Sequence, residues 1–386
     1  MADNNENKVL NVPHLRFPEF TEEWEETTLG KISEITKGSG ISKDQLSEQG
    51  SPCILYGELY TKYKSEIIDE VYSRTELDSS SLVKSKANDV IIPCSGETAI
   101  DISTARCVPF NNILLGGELN IIRLKHDDGG FFAYQLNGAR KKDIARVAQG
   151  VSVVHLYGEN LKHIRVYHPA IEEQKKITRL LSLIDERIAT QNKIIEDLKL
   201  LKSAISLNVL HSDTWEQFKI KDIAQIGRGR VISSIEISQQ KNPTYPVYSS
   251  QTSNDGIMGY LDDYMFEGEY ISWTTDGANA GTVFYRNGKF NCTNVCGLLK
   301  LIKGFDTHFV SLVLAEATKK YVSINLANPK LMNNTMGNIQ ICLPKLEEQK
   351  RISIVFRVLQ RLWTVHNSLL TEYIKQKQYL LSQMFI

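Results

Sequence analysis

Two stretches of the chain place apolar residues with the spacing of a helix that packs against another helix. Steps of alternately four and three residues from Ile177 and from Ile352 give ten positions in each stretch, and eight of the ten are apolar in the first. The positions are Ile177, Leu181, Ile184, Ile188, Gln191, Ile195, Leu198, Lys202, Ile205 and Val209 in the first stretch, and Ile352, Phe356, Leu359, Trp363, His366, Leu370, Tyr373, Lys377, Leu380 and Met384 in the second. Polar residues occupy the same two steps in both stretches. This sustained period favours a coiled coil between the two helices over an ordinary amphipathic helix on a globular core.

Nearly the same phrase introduces both helices. EEQKKI stands at residues 172–177 and EEQKRI at residues 347–352, and each follows shortly after a proline, Pro169 or Pro344. Proline is tolerated in the first helical turn, and acidic residues are favoured there because they face the positive end of the helix dipole. The phrase therefore predicts two equivalent helix starts, 175 residues apart.

Two further matches indicate that the whole chain is an internal duplication. WEETTLGKISEITKG from Trp24 resembles WEQFKIKDIAQIGRG from Trp215, and FFAYQLNGARKK from Phe131 resembles FVSLVLAEATKK from Phe309. Repeats of this kind decide the fold, so they take precedence over local patterns. One segment has no second copy, because LRFPEF at residues 15–20 has no counterpart before Trp215.

The segments between these matches have the pattern of short strands and turns. DVIIPC, NIIRLK, EYISW and GLLKLI are strand-like runs, and glycine-rich turns such as DDGG and NDG separate the runs. The sequence predicts an α+β fold with two duplicated mixed α/β domains, separated by two long helices that form an antiparallel coiled coil with pseudo-twofold symmetry. The predicted boundaries are 1–13 for a flexible lead-in, 14–168 for the first domain, 169–211 for the first helix, 212–343 for the second domain and 344–386 for the second helix.

Composition narrows the classes of function. The 386 residues include 45 basic and 45 acidic side chains, so binding to nucleic acid by bulk charge alone is disfavoured and would need local basic clusters or a partner. Six cysteines form no CxxC pair, which predicts reduced thiols in a cytoplasmic protein. No apolar run approaches the ~18 residues of a membrane span, so no membrane contact is predicted.

The sequence also lacks the motifs of a catalytic subunit. It contains no GxxxxGK[ST] phosphate loop and no GxGxxG, and the nearest approach is NGKF at residues 287–290. An Asn-Pro-Pro-aromatic motif is absent as well, since NPKL at residues 328–331 does not match it. The single histidines His155 and His308 are interpreted as structural, and no metal site is predicted.

The chain resembles the specificity subunits of Type I restriction–modification systems. The resemblance covers nearly the whole chain and rests on VPHLRFPEFTEEWEETTLGKI, HPAIEEQKKITRLLSLIDERI, LPKLEEQKRI, YPVYSSQTSNDGIMGYLDDY and DGANAGTV. It implies two target-recognition domains that each read one half of a split sequence in double-stranded DNA. It also implies a non-catalytic chain that recruits two modification subunits, which methylate adenine, and restriction subunits. S-adenosylmethionine, ATP and Mg are then expected on those partners, with no cofactor bound by this chain.

The length of the helical seam fits such a role. About 32 residues at ~1.5 Å each give a rod of roughly 48 Å. Major-groove sites one turn apart on DNA are separated by about 34–36 Å, so the rod suits a spacer between two readers on one duplex. Two alternatives stay open: a self-sufficient DNA methyltransferase or nuclease with unrecognised motifs, and a structural coiled-coil scaffold.

Candidate DNA contacts are polar residues on the loops of both domains. Arginine, lysine, asparagine and glutamine can read base edges, and cations and hydroxyl groups can hold phosphates. The candidates in the first domain are Lys37, Ser39, Tyr60, Thr61, Lys62, Ser95, Thr98, Lys141, Lys142, Gln149 and Ser152. Those in the second domain are Arg228, Arg230, Ser250, Gln251, Thr252, Asn254, Thr275, Asn279, Lys319, Lys320, Lys330 and Asn333. GRGR at residues 227–230 is favoured, because flexible glycines let its arginines approach a DNA backbone. An ordinary solvated loop is the alternative for each candidate.

Overall fold

The computed structural model describes residues 10–210, 214–323 and 328–386. The first nine residues of the predicted lead-in, residues 211–213 at the predicted boundary between the first helix and the second domain, and residues 324–327 of that domain lie outside these ranges. The chain forms two compact units. Unit 1 runs to Lys193 and also includes Asn367–Ile386, and unit 2 comprises Ile194–His366. The division falls within the long helices, so each unit contains one domain and a part of both helices. The predicted domain boundaries themselves stay a prediction.

Unit 1 contains two four-stranded sheets and two separate pairs of strands. Its strands are Glu25–Thr28, Ser33–Lys37, Leu46–Ser47, Ser51–Ile54, Ser73–Thr75, Asp89–Pro93, Ser95–Gly96, Arg106–Val108, Leu114–Leu115, Leu119–Leu124, Val154–His155 and Arg165–His168. Its short helices are Leu29–Ile32, Lys43–Gln45, Glu58–Thr61, Ala99–Ile102, Gly129–Asn137, Lys141–Val147 and Gly158–Lys162. The central sheet is antiparallel, in the order Ser33–Lys37, Leu119–Leu124, Asp89–Pro93, Arg106–Val108.

Unit 2 repeats this plan with fewer elements. Its strands are Glu216–Lys219, Ala224–Arg228, Tyr245–Tyr248, Ile257–Leu261, Phe266–Glu267, Tyr270–Thr274, Val283–Arg286, Lys289–Cys292, Cys296–Leu301 and Gln340–Leu343. Its short helices are Ile220–Ile223, Ser234–Ser238, Ser253–Gly256, Thr307–Ala317, Thr318–Lys320 and Asn333–Asn338. The corresponding central sheet has the order Ala224–Arg228, Cys296–Leu301, Tyr270–Thr274, Val283–Arg286.

In both units the first and the last strand of the domain pair with each other. Glu25–Thr28 runs antiparallel to Arg165–His168, with Glu25 opposite His168. Glu216–Lys219 pairs in the same way with Gln340–Leu343, with Glu216 opposite Leu343. The chain therefore enters and leaves each domain at neighbouring points. It leaves each domain immediately before a long helix.

The two long helices span Ile171–Val209 and Leu346–Gln383. In unit 1 the start of the first helix, at Ile177, joins the same apolar core as Leu380 near the end of the second helix. In unit 2 the end of the first helix, at Val209, packs on the core that contains Ile352 at the start of the second. Since starts meet ends in both units, the helices pair antiparallel, and the predicted α+β fold with duplicated domains and a helical seam is confirmed. None of the helices in the described parts of the chain combines the length and the apolar composition of a membrane span.

The repeated EEQK phrase fastens the first long helix to its domain through Gln174. This side chain is 1% exposed, its Nε2 donates to the carbonyl of Pro169 over 2.9 Å, and its Oε1 accepts from the amide of Asp128 over 2.9 Å. The carboxylate of Asp128 in turn accepts from the amide of Phe131 over 2.8 Å and caps the helix that carries the aromatic core.

Gln349 makes the same connection in unit 2. Its Nε2 donates to the carbonyl of Pro344 over 2.8 Å, and its Oε1 accepts from the amide of Asp306 over 2.9 Å. Asp306 caps the helix of Phe309 over 2.7 Å. A buried amide that leaves its partners unsatisfied when removed is costly to replace, which gives a physical reason for the glutamine in both copies of the phrase.

Candidate nucleic-acid interface

In unit 1 the predicted loops meet around Ser95. The strand Ser95–Gly96 pairs with Val154–His155, and the hydroxyl of Ser95 donates to the carboxylate of Glu118 over 3.0 Å. The hydroxyl of Tyr60 lies close to Gly96 as well. Glu118 also lines a cleft of about 380 Å³ together with glycines of the neighbouring loops. The structure thus brings together loops from five separate regions of the sequence.

The candidates of unit 1 differ in how accessible they are. Lys37, Thr61, Lys62, Thr98, Lys142, Gln149 and Ser152 are exposed, whereas Ser39, Tyr60, Ser95 and Lys141 are half-buried. The Ser39 hydroxyl accepts from the amide of Val83 over 2.8 Å, so it supports its own loop. Thr98 caps a short helix by accepting from the amide of Asp101 over 3.1 Å.

Two of the candidate lysines, Lys62 and Lys141, are partly enclosed by neighbouring residues of the domain. The ammonium of Lys62 is 2.6 Å from Glu58 and 2.9 Å from the hydroxyl of Ser73. Burial lowers the pKa of Lys141, and the nearby Arg106 acts in the same direction. Lys142 is exposed and is therefore a better candidate for a phosphate contact than Lys141, its neighbour at the start of the helix Lys141–Val147.

The tip of the loop that carries Ser152 is apolar, which the sequence did not single out. Val151 is 95% exposed, and Val153 and Tyr157 are exposed as well. Apolar side chains at such a tip can contact the methyl group of thymine, while Gln149 and Ser152 beside them supply hydrogen-bonding groups. The only signal in the sequence was the paired valines in a glycine-containing loop.

In unit 2 three predicted loops also meet. Arg228 donates from Nε to the side-chain oxygen of Asn333 over 2.9 Å. Lys330 lies 3.8 Å from Asp276, and the amide of Gly277 donates to the carbonyl of Pro329 over 3.0 Å. The segments at residues 227–230, 274–281 and 328–334 therefore form one surface.

The candidates of unit 2 also divide by exposure. Arg230, Thr252, Asn254, Asn279, Lys319 and Lys320 are exposed, Arg228, Ser250, Gln251, Lys330 and Asn333 are half-buried, and Thr275 is buried. The hydroxyl of Thr275 lies 2.7 Å from the carboxylate of Asp276 and 3.0 Å from the carbonyl of Val295. Because it is enclosed and already bonded, we leave Thr275 out of the interface.

Arg230 and the lysine pair Lys319–Lys320 remain accessible at the surface, although Lys319 forms an exposed ion pair with Glu316 over 2.7 Å. Arg230 forms a two-point pair with Glu236, one bond being 2.9 Å, but both side chains remain accessible. Thr318, which precedes Lys319, donates to the carbonyl of Gly281 over 2.8 Å. This bond places the lysine pair beside the loop at residues 274–281.

The loop at residues 250–256 is supported by the side chain of Arg286, which carries no functional signal in the sequence. Asn254 and Asp255 have φ of 49° and 52°, in the left-handed region that favours asparagine and aspartate among non-glycine residues. Beneath them Arg286, only 2% exposed, contacts Asp255 over 3.0 Å and lies 3.6 Å from the ring centre of Tyr248. In the sequence Arg286 is an ordinary strand residue.

The remaining polar clusters are structural. Among the described residues there is no group of three or more histidine, cysteine or acidic side chains that could hold a metal ion. His308 lies 2.9 Å from the hydroxyl of Ser353 on the second long helix, and His168 lies 3.0 Å from Asp127. His308 thus connects its domain to the second long helix, whereas the contact of His168 with Asp127 lies within the domain of unit 1.

Comparisons with known proteins agree with this architecture. The family model for the Type I restriction modification DNA specificity domain matches the chain twice, at residues 21–200 and 212–375. A putative type I specificity subunit of Mycoplasma pneumoniae is 36% identical over 206 residues, which are 52% of this chain and 85% of the relative. The specificity subunit of the type I restriction enzyme MpnII of the same organism is 43% identical over 150 residues, 38% of this chain and 44% of the relative.

A solved structure shares the fold over nearly the full length. The S subunit of a Type-I restriction-modification system from M. genitalium superposes with a TM-score of 0.74 at 16% identity, covering 97% of this chain and 99% of the other. The chain therefore belongs to the Type I restriction modification DNA specificity family and carries two of its domains. It is a specificity subunit, the non-catalytic component of these systems.

Proposed function

We propose that this chain reads a bipartite target in double-stranded DNA, one half with the loops of each unit, and recruits adenine-methyltransferase and restriction subunits to it. The observation that carries the proposal is the duplication: each unit gathers distant loops into one polar surface on the same domain plan. The two long helices would then set the number of base pairs between the halves. We place this activity in the cytoplasm.

Charge supports a shared mode of binding. The chain is neutral, with 45 basic and 45 acidic residues, so it lacks the excess of cations that neutralises phosphates in a stand-alone DNA-binding protein. Two modification subunits, one for each copy of the duplicated domain and helix, would supply the remaining contacts with the DNA duplex. S-adenosylmethionine, ATP and Mg would be bound by the partner subunits and not by this chain. A self-sufficient methyltransferase or nuclease is not favoured.

The test compares one exposed candidate from each unit. Gln149→Ala alters the surface of unit 1, and Arg230→Ala alters that of unit 2 without burying an unpaired charge, because Glu236 is accessible. Each variant is expressed with its partner subunits, and methylated adenines are mapped across the genome. Loss of a base contact costs about 1–3 kcal/mol, so discrimination at that base falls roughly 5- to 150-fold.

We expect Gln149→Ala to relax one half of the target and Arg230→Ala to relax the other, so that each variant is the control for its counterpart. Relaxation of the same half by both variants would contradict the assignment of one half to each unit. Uniform slowing with both halves intact would show that these residues contact phosphates only.

A further inference from the structure

Unit 2 has an open groove where the domain leads into the second long helix. It is a cavity of about 900 Å³, lined by apolar side chains that include Trp215, Phe218, Phe305 and Pro344, with Glu348 among its polar residues. We call it the helix-entry groove of unit 2. Trp215 is only half-buried there.

The corresponding place in unit 1 is covered by a segment of the chain itself. His168, Pro169, Ala170 and Glu173 line it and match four groove residues of unit 2, Leu343, Pro344, Lys345 and Glu348, at the offset of 175 residues that separates the repeated phrases. The cover is LRFPEF at residues 15–20, the segment without a second copy. With the cover in place the remaining space is about 450 Å³.

An arginine is the main anchor of this cover. Arg16 donates from Nε and from a terminal nitrogen to the two oxygens of Glu173, both over 2.7 Å. Glu173 is 1% exposed, so the pair is shielded from water. A two-point arginine–carboxylate pair of this geometry is among the strongest and most direction-specific ionic contacts in proteins.

Aromatic rings follow the arginine. The ammonium of Lys176 lies 4.5 Å from the ring centre of Phe17 and 5.9 Å from that of Phe20. The amide of Leu15 donates to the carbonyl of Gln383 over 2.9 Å. Beneath the cover Trp24 is 1% exposed, in contrast to Trp215 at the matching position of unit 2.

Unit 2 keeps both charged anchor positions, and no segment among its described residues covers them. Glu348 corresponds to Glu173 and Arg351 to Lys176, and both are exposed. Within the described parts of the chain, neither side chain forms an ion pair or a hydrogen bond. The five residues between Val209 and Trp215 contain no arginine and no phenylalanine, so the preceding chain cannot supply a cover of the same chemistry.

We propose that the helix-entry groove of unit 2 binds an extended segment of a partner protein that carries an arginine followed by a phenylalanine. The arginine forms a two-point pair with Glu348, and the aromatic ring lies on the apolar wall beside Trp215 under the guanidinium of Arg351. A second copy of this chain is the weaker occupant, since its own Leu15–Phe20 would have to give up the same contacts in its unit 1. The inference is independent of how the chain reads DNA.

The test uses a labelled peptide with the sequence of residues 10–23, LNVPHLRFPEFTEE, and the full chain. Fluorescence anisotropy is expected to show saturable binding of one peptide per chain. Glu348→Arg is expected to weaken binding at least tenfold. Glu347→Arg, a change of the same kind at the adjacent exposed residue, is the matched control and is expected to leave binding unchanged.

A charge exchange separates direct contact from misfolding. A peptide with Arg16→Glu is expected to bind poorly to the unchanged chain and to regain affinity for the Glu348→Arg variant. Absence of saturable binding, or equal binding by the Glu348→Arg and Glu347→Arg variants, would overturn the proposal. So would binding that depends on Glu173 instead, since the peptide would then be displacing the cover of unit 1. Dimerisation of the chain that Glu348→Arg abolishes would replace the partner by a second copy.

Discussion

The two units place a lysine at the same step of the helical seam and use it in opposite ways. In unit 1 Lys377 is half-buried between two buried carboxylates, 2.6 Å from Asp185 and in contact with Glu66, while the hydroxyl of Tyr134 donates to Asp185 over 2.7 Å. In unit 2 the matching Lys202 is exposed and, among the residues described, makes no ion pair.

The difference lies in the residues opposite the lysine. Asp185 corresponds to Gln360 at the offset of 175 residues between the EEQK phrases, and Tyr134 corresponds to Leu312 in the alignment of Phe131 with Phe309, so unit 2 has neither the carboxylate nor the hydroxyl. Burial raises the pKa of Asp185, and the charge of Lys377 opposes that rise. A matched polar residue in two seams therefore does not establish a matched role, because its partners decide whether it is buried and paired.

Removing the lysine between the two buried carboxylates should have the largest effect. Lys377→Ala leaves both carboxylates without their ion-pair partner, and we expect a loss of about 3–5 kcal/mol in the stability of unit 1. Lys202→Ala, at the matching exposed position, should cost less than about 0.5 kcal/mol. Denaturant titration with native-state hydrogen exchange would assign each loss of stability to its unit. Equal losses for the two variants would contradict the different roles of Lys377 and Lys202.

The glutamine of the repeated phrase should show the opposite result, two effects of similar size, with the loss at Gln174 somewhat larger because its Nε2 also donates to the carboxylate of Asp127 over 2.8 Å. Gln174→Ala and Gln349→Ala each leave a buried amide and a carbonyl without partners, which costs about 1–3 kcal/mol. Gln360→Ala, on the exposed face of the second long helix, is the control. A marked difference between the two buried glutamines, measured by the same titration, would mean that the helix starts are not equivalent.

Acidification should lower the stability of unit 2 but not that of unit 1, and this effect should be smaller than those of the substitutions above. Burial, helped by the charge of Arg357, lowers the pKa of His308 from 6.5 to about 4. The unfolded chain takes up a proton below pH 6.5 and the folded chain does not, so unit 2 should lose about 1 kcal/mol between pH 7 and pH 5.

His168 responds in the other direction. Its hydrogen bond to Asp127 raises its pKa, so its contribution to unit 1 is fully present below the pKa of the unfolded chain and is lost as the pH rises through the raised value. Hydrogen exchange at pH 7 and pH 5, corrected for intrinsic rates, should show unit 2 loosening on acidification and unit 1 holding. His308→Gln should abolish the loosening, and its persistence in that variant would point to other groups.

The repeating framework could be predicted from the sequence because it depends on local and periodic signals. The step of four and three residues from Ile177 and the duplicated EEQK phrase lie within single helices, where spacing alone determines which residues share a face. The pairing of the two helices followed from the same pattern.

The candidate interface could be predicted only as a set of loops. Whether a polar loop residue is available depends on partners far away in the chain: Arg228 is held by Asn333, 105 residues on, and Thr275 is enclosed beside Val295. Arg286, which supports a loop from below, carries no local signal at all. Such contacts arise from tertiary packing, which composition and spacing do not encode.

The pairing of first and last strands has a consequence for how such a protein changes over generations. Because Glu25–Thr28 lies beside Arg165–His168, the stretch between them begins and ends at neighbouring points, in the manner of segments that tolerate insertion or replacement. A recombination event that exchanged this stretch for another of different length would leave the strand pair, the buried glutamine and the helix in place. One recognition surface can therefore be inherited as a cassette while the other is kept.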